Sequence, residues 1–244
     1  MRLLLANANT THAITLLCAD AARAVASPGT EIIPATPAFG PAVISSRAED
    51  AIAAHGLLDL LARHAGQVDA VVLAVSLDTA LEAARQLMPC PVVGMTEAAC
   101  FTACLLGTRF GLVTFGATGS YRDRIAQHGL AARCVSLVGV ATTPQAALAD
   151  PDAADRLILE GIERAVADGA EAVVMGGAAL AGAARRLQPA APVPLVDGIE
   201  AGVRMAEALA AMAPAKPRAG GLAPLSGRDS TGLSPALAGL LRGG

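Results

Sequence analysis

Asp69-Ala-Val-Val-Leu-Ala-Val75 and Glu171-Ala-Val-Val-Met-Gly-Gly177 decide the fold. Each is a short unbroken run of apolar, partly β-branched residues behind one acidic residue. A run this short and this continuous reads as a strand buried on both faces, which is the habit of parallel sheets. The surroundings of the two runs match as well. Each leads through small residues into a helix with Ala-Ala-Arg, at Ala83-Ala84-Arg85 and Ala183-Ala184-Arg185. Each then reaches a second strand, Pro91-Val-Val93 or Pro194-Leu-Val196, and a helix with Glu-Ala, at Glu97-Ala98 or Glu200-Ala201. The repeat spans about one hundred residues, so it marks a duplicated lobe rather than a solenoid.

Strands are expected at Arg2–Ala6, Thr30–Pro34, Pro91–Gly94 and Arg109–Phe115. Helices are expected at Thr10–Val25, Arg47–His64, near Thr79–Leu87 and at Glu97–Leu106. This alternation predicts an α/β protein of two pseudo-symmetric, doubly wound lobes with parallel sheets and an active-site cleft between them. Residues 1–96 and 198–213 form lobe 1, residues 97–197 form lobe 2, and residues 214–244 are a Pro/Gly-rich tail in which Ser234–Leu241 forms a short closing helix. The loops after the strands, 7–11, 75–79, 114–118, 176–180 and 197–199, would line the cleft.

Composition narrows the function. The chain has 244 residues, of which 54% are hydrophobic and 2% aromatic, with a net charge of −3. No basic stripe with interleaved aromatics exists, so a nucleic-acid partner is not expected. Apolar stretches are interrupted well before the roughly 18 positions of a spanning helix, so no membrane partner is expected either. Met1–Asn7 reads as a first strand rather than a signal peptide. The five cysteines, Cys18, Cys90, Cys100, Cys104 and Cys134, are odd in number and sit within regular elements. A reduced, cytoplasmic compartment is the expectation.

Several ordered motifs carry a family likeness over about residues 2–213. Leu5-Ala-Asn-Ala-Asn-Thr-Thr11 is similar to the Asn-x-Asn-Thr/Ser entry of hydantoin and allantoin racemases. Pro91-Val-Val-Gly-Met-Thr-Glu97, Arg109-Phe-Gly-Leu-Val-Thr114, Asp168–Gly176 and Pro194-Leu-Val-Asp-Gly198 fit the same pattern. The chain thus resembles the aspartate/glutamate/hydantoin racemase superfamily. That resemblance implies a small-molecule carbon acid as substrate, no required cofactor, and a homo-oligomer, which an Ala-rich helical exterior also suits. It further implies two catalytic cysteines, one taking a proton and one giving it. The matching positions here are Val75 (Ser76 if the match shifts by one) and Gly177.

Neither Val nor Gly moves a proton. The expectation is therefore an enzyme that keeps the ligand class and changes the reaction: hydrolysis of a hydantoin-like ring, or lyase-type desulfurisation of a thiohydantoin acid. Ser76 and Asp78 are the candidate catalytic residues, and capping of the next helix is the plainer role for Asp78 and Thr79. Asn7, Asn9, Thr10, Val75, Thr79, Thr114, Phe115, Gly116, Gly176, Gly177 and Ala178 are the candidate substrate-binding residues, with helix capping or turn chemistry as the alternative for the polar ones. His12, Glu97, Cys100 and Cys104 are candidate ligands for a divalent metal such as zinc; ordinary packing is the stronger reading of the cysteines. His55, His64 and His128 read as surface residues. Two further readings stay open: a racemase or epimerase using bases other than cysteine, and a non-catalytic small-ligand-binding protein.

Overall fold

The computed structural model describes residues 1–223 and 227–243; residues 224–226 and 244 of the tail lie outside the described residues. The chain divides into two compact units, Met1–Gly94 with Gly202–Gly244, and Met95–Ala201.

The first unit alternates strands and helices: β1 (Arg2–Ala6), α1 (His12–Val25), β2 (Glu31–Ala35), α2 (Arg47–His64), β3 (Ala70–Leu73), α3 (Leu81–Leu87) and β4 (Val92–Gly94). Its sheet has the order β2-β1-β3-β4 with every pair parallel. β3 is buried along its whole length, as its unbroken apolar run requires. Pro34, paired with Leu5, sits in β2 at the sheet edge, where a missing N–H costs no inner ladder bond. α2 starts on a capping box: the Ser46 side chain accepts from the Glu49 N–H, and the Glu49 carboxylate accepts from the Ser46 N–H.

The second unit repeats the plan. It contains α4 (Met95–Leu106), β5 (Phe110–Phe115), α5 (Gly119–Gln127), β6 (Cys134–Val140), α6 (Pro144–Ala149), α7 (Pro151–Ala167), β7 (Ala172–Gly176), α8 (Ala183–Leu187) and β8 (Leu195–Asp197). The sheet order is β6-β5-β7-β8, again all parallel. β3 and β7, the two runs that decided the fold, occupy the same inner place in their sheets. Each unit has its own apolar core, centred on Leu4, Leu57, Leu61 and Leu73 in one and on Val113, Ile158, Ile162 and Val173 in the other.

α9 (Gly198–Met212) begins in the second unit and ends in the first. In the first unit Glu207 accepts from the Ser27 N–H (2.7 Å), the Ser27 hydroxyl (2.9 Å) and the Thr30 hydroxyl (2.7 Å). The tail then carries α10 (Pro235–Arg242), whose Leu237 is buried beside Ala62 and Leu87. Among the described residues, no helix is long and apolar enough to cross a membrane.

Three local expectations are corrected. The α1 helix starts at His12, and its N-cap Thr11 makes no side-chain cap bond. Neither Asp78 nor Thr79 caps α3; the N-cap is Ala80, in the left-handed region at φ 56°. His128 is no surface residue: its side chain is only 6% exposed and lies 3.9 Å from the Glu97 carboxylate, with the Phe101 ring nearby.

Candidate active site

The loops at the carboxyl ends of the strands are the places where such sheets bind ligands. In the first unit, the β1–α1 loop is built around Asn7, which is wholly buried. Its Nδ2 donates to Asn9 Oδ1 (3.0 Å) and Thr15 Oγ1 (3.0 Å), and its Oδ1 accepts from the Asn9 N–H (3.1 Å). Asn9 Oδ1 also accepts from the Thr11 N–H (2.9 Å). Asn7 therefore spends its amide inside the loop and holds the loop's shape. The Thr10 N–H is likewise taken, by Pro41 O at 3.0 Å. What the loop leaves over is Asn9 Nδ2 and the Thr10 hydroxyl; both residues are half-buried, and neither group has a hydrogen-bond partner among the described residues.

The β3–α3 loop is the most constrained segment of this unit. Val75 is buried in the core cluster, and its carbonyl accepts from the Asp78 N–H at 3.1 Å. Asp78 and Ala80 both have positive φ, 48° and 56°, which non-glycine residues seldom adopt. Such strain persists only where the surroundings enforce it. Here the enforcement is visible. Asp78 is fully buried with its carboxylate lying over Gly94, at the end of β4. A Cβ on Gly94 would collide with the Asp78 carboxylate, which would have to move for any other residue. Thr79 is also fully buried, and its hydroxyl donates to Asp50 Oδ1 on α2 at 2.5 Å. Ser76, half-buried, is the first polar residue after the end of β3.

In the second unit, Thr114 is buried at the end of β5 and Phe115 is half-buried. Gly116 is exposed with φ 69°, and its N–H is committed to Val140 O at 3.1 Å. Gly176 is buried, with Leu112 and Tyr121 packed where a side chain would start. Gly177 has φ 130° and ψ 138°, a conformation that side chains rarely permit. Ala178 opens a short 3₁₀ turn and is 8% exposed.

One residue of this edge had a signal in the sequence that pointed only to its loop. Asp197 ends β8, buried, and accepts from three backbone N–H groups: Gly182 (2.6 Å), Ile199 (2.8 Å) and Glu200 (3.2 Å). It ties the turn after Gly177 to the start of α9. Burial raises its carboxyl above the ordinary range, and the three N–H groups oppose that shift. Asp78 and Asp197 are thus reciprocal. In one unit the carboxylate comes from the loop and lies over the strand end. In the other it comes from the strand end and holds the loop.

The metal-ligand candidates do not assemble. Cys100 is a core residue of α4, Cys104 is half-buried, and Glu97 lies beside His128. His12 is exposed in the other unit, with its Nδ1 3.2 Å from Thr36 Oγ1. Among the described residues, no three His, Cys, Asp or Glu side chains come together as a ligand set. The cysteines lie in helices α1 and α4 (Cys18, Cys100, Cys104), just before β4 (Cys90) and at the start of β6 (Cys134).

Known proteins share this architecture. Residues 3–206 match the Asp/Glu/Hydantoin racemase family. The chain is 35% identical to a hydantoin racemase of Rhizobium meliloti over 213 residues, which covers 86% of this chain and 88% of that one. Its structure superposes on the allantoin racemase from Klebsiella pneumoniae with a TM-score of 0.92 at 34% identity, covering 97% of this chain and 98% of the other. The allantoin racemase from Pseudomonas fluorescens gives 0.90 at 33% identity, covering 95% and 100%. These relatives overturn the expectation of hydrolytic or desulfurising chemistry, because proteins alike over nearly the whole length bear the name racemase. With one strand order used in both units, racemase-like motifs at the strand ends and a match over residues 3–206, the chain belongs to the Asp/Glu/hydantoin racemase family.

Proposed function

We propose that this protein is a racemase of hydantoin- or allantoin-type rings that moves the proton without a cysteine pair. The observation that carries the reading is the likeness to hydantoin and allantoin racemases at a third identity over most of both chains. The absence of a thiol in the strand-end loops supports the second half. Val75 and Gly177 stand where the family resemblance puts its cysteines, and the five thiols of this chain lie elsewhere.

The chemistry asks little of the protein beyond placement. The ring carbon between a carbonyl and a nitrogen is a carbon acid. Removing its proton gives a planar enolate, and returning a proton to the opposite face inverts the centre. The enolate oxygen needs hydrogen-bond donors held in place beforehand. On this reading Asn9 Nδ2 and the Thr10 hydroxyl hold a ring carbonyl, because the β1–α1 loop leaves those donors over. Thr114, Phe115 and Ala178 stand at the strand ends of the second unit. Ser76 is a hydrogen-bonding candidate of the β3–α3 loop; a hydroxyl without a base beside it does not itself take the ring-carbon proton. Asp78, buried over Gly94, positions that loop and does not touch the ring.

The test is exchange of the ring-carbon proton in D2O for allantoin and for an enantiopure 5-isobutylhydantoin, read by NMR and chiral chromatography. Enzyme-dependent exchange that survives treatment with iodoacetamide is the expected result. No exchange above the buffer rate with either ring would overturn the racemase, and loss of exchange on alkylation would return the proton to a thiol.

A further inference from the structure

The first unit contains an open pocket away from the strand-end loops. After α9 the chain turns back, and residues 214–222 run over the C-terminal end of α3. Two reciprocal contacts hold this strap. Lys216 Nζ donates to Gln86 O and Met88 O, both at 2.6 Å. Gln86 Nε2 donates to Gly221 O (3.0 Å) and Ala223 O (3.3 Å). Between the strap, α9 and the start of β4 lies a cavity of about 240 Å³. Drug-sized ligands take roughly 300–1,000 Å³, so this space suits something smaller.

Its lining has two characters. Met88, Val92, Leu209 and Leu222 make apolar walls, and Arg85 and Lys216 are the charged groups; no acidic side chain is among the lining residues described. The Lys216 ammonium has three N–H donors, and two are spent on carbonyl groups. The third has no protein partner among the described residues. Burial lowers the Lys216 amine from its ordinary value, as expected for a cation drawn from water without a counter-charge. Arg85 is anchored by its Nε to Val92 O at 3.0 Å, so its guanidinium is fixed at the cavity wall. Apolar walls with the Lys216 ammonium among them, one of its donors left over, form the complement of an amphipathic anion.

We propose that the cavity under residues 214–222 is a binding site for a small carboxylate with an apolar tail, the carboxylate meeting Lys216 beside Arg85 and the tail lying against Met88, Val92, Leu209 and Leu222. The site stands at the amino-terminal end of β4, whereas the candidate active site lies at the carboxyl ends of the strands. It does not depend on the reaction the protein performs.

Cys90 is a natural reporter, since its thiol lines the same cavity. Burial pushes that thiol up to about 11, so its alkylation by iodoacetamide at about pH 9 is slow enough to follow by peptide mass mapping. Octanoate and N-acetylleucine share the proposed chemistry, and the one that protects at lower concentration names the source. Octanoate is expected to slow Cys90 alkylation saturably in the full chain, and octanol at the same concentration is not. Lys216→Met should weaken protection about tenfold or more, Lys216→Arg should retain it, and Leu222→Trp should abolish it by filling the space. The proposal is overturned if neither carboxylate protects, if octanol protects equally, or if Lys216→Met behaves as the parent. Because the readout is a thiol rate, it reports on the cavity even if no racemisation is found.

Discussion

The carboxylate of Asp78 occupies the space in front of the Gly94 Cα, where the Cβ of any other residue would stand. This one contact links the turn after β3, where Asp78 is buried at φ 48°, to the end of β4. Gly94→Ala should force the carboxylate out. The expected cost is about 1–3 kcal/mol, as for other overpacked sites, with at least a tenfold fall in exchange activity because the Ser76 turn moves. Asp78→Ala should relieve part of the Gly94→Ala penalty in the double variant. Strictly additive effects in thermal denaturation would show that the two residues are not coupled.

Ala80 carries a Cβ at φ 56°. A left-handed conformation costs an L-residue roughly 1–2 kcal/mol, while glycine gives back about 0.4–1 kcal/mol through the unfolded chain. Ala80→Gly should therefore raise stability by up to about 1 kcal/mol, read as a higher midpoint in urea. A lower midpoint would mean that Ala80 packs in a way its backbone conceals.

Gly177 presents the opposite case. With φ 130° it sits where a side chain is strained, so Gly177→Ala should cost about 1–3 kcal/mol. Val75→Cys, a buried swap for a smaller side chain, should cost less than about 1.5 kcal/mol. The two positions that match the family's cysteines thus differ in kind. Calorimetry on both single variants checks this, and equal losses would count against it.

Asn7→Asp replaces two amide donors by acceptors inside a closed hydrogen-bond set with Asn9 and Thr15. Leaving buried acceptors without donors costs about 1–3 kcal/mol. Because Asn9 and Thr10 lose their support, KM for the ring should rise more than kcat falls. A change confined to kcat would place Asn7 nearer the chemistry than its burial allows.

Acid stability has a defined sign. The Ser45 and Ser46 backbone and hydroxyl donors hold the Glu49 carboxyl down at about 2 from 4.5. Burial raises the Glu207 carboxyl, but the Ser27 and Thr30 donors and the Arg204 charge outweigh it and leave it lowered as well. A lowered pKa contributes stability that is full above the unfolded value and is lost as pH falls through the folded one. Unfolding should therefore become easier below about pH 4.5, and Glu49→Gln should flatten that slope between about pH 4.5 and 2. An unchanged acid limb in urea titrations at successive pH values would show that Glu49 does not contribute to it.

The fold was legible in local pattern. Short apolar runs such as Ala70–Leu73 and Ala172–Gly176 are local signals, and their length and continuity point to strands buried on both faces. The repeat likewise anticipated one strand order used twice. Which polar residues of the strand-end loops are already engaged became visible only in the folded chain. Asn7, Asp78 and Thr79 read in the sequence either as ligand-facing groups or as helix caps; in the fold they are buried, against Thr15, Gly94 and Asp50. His128 reads as a surface residue until Glu97 is found beside it. The reason is physical: a hydrogen bond or a close contact costs or stabilises according to what stands within a few ångströms, and those neighbours come from distant parts of the chain that no local pattern records.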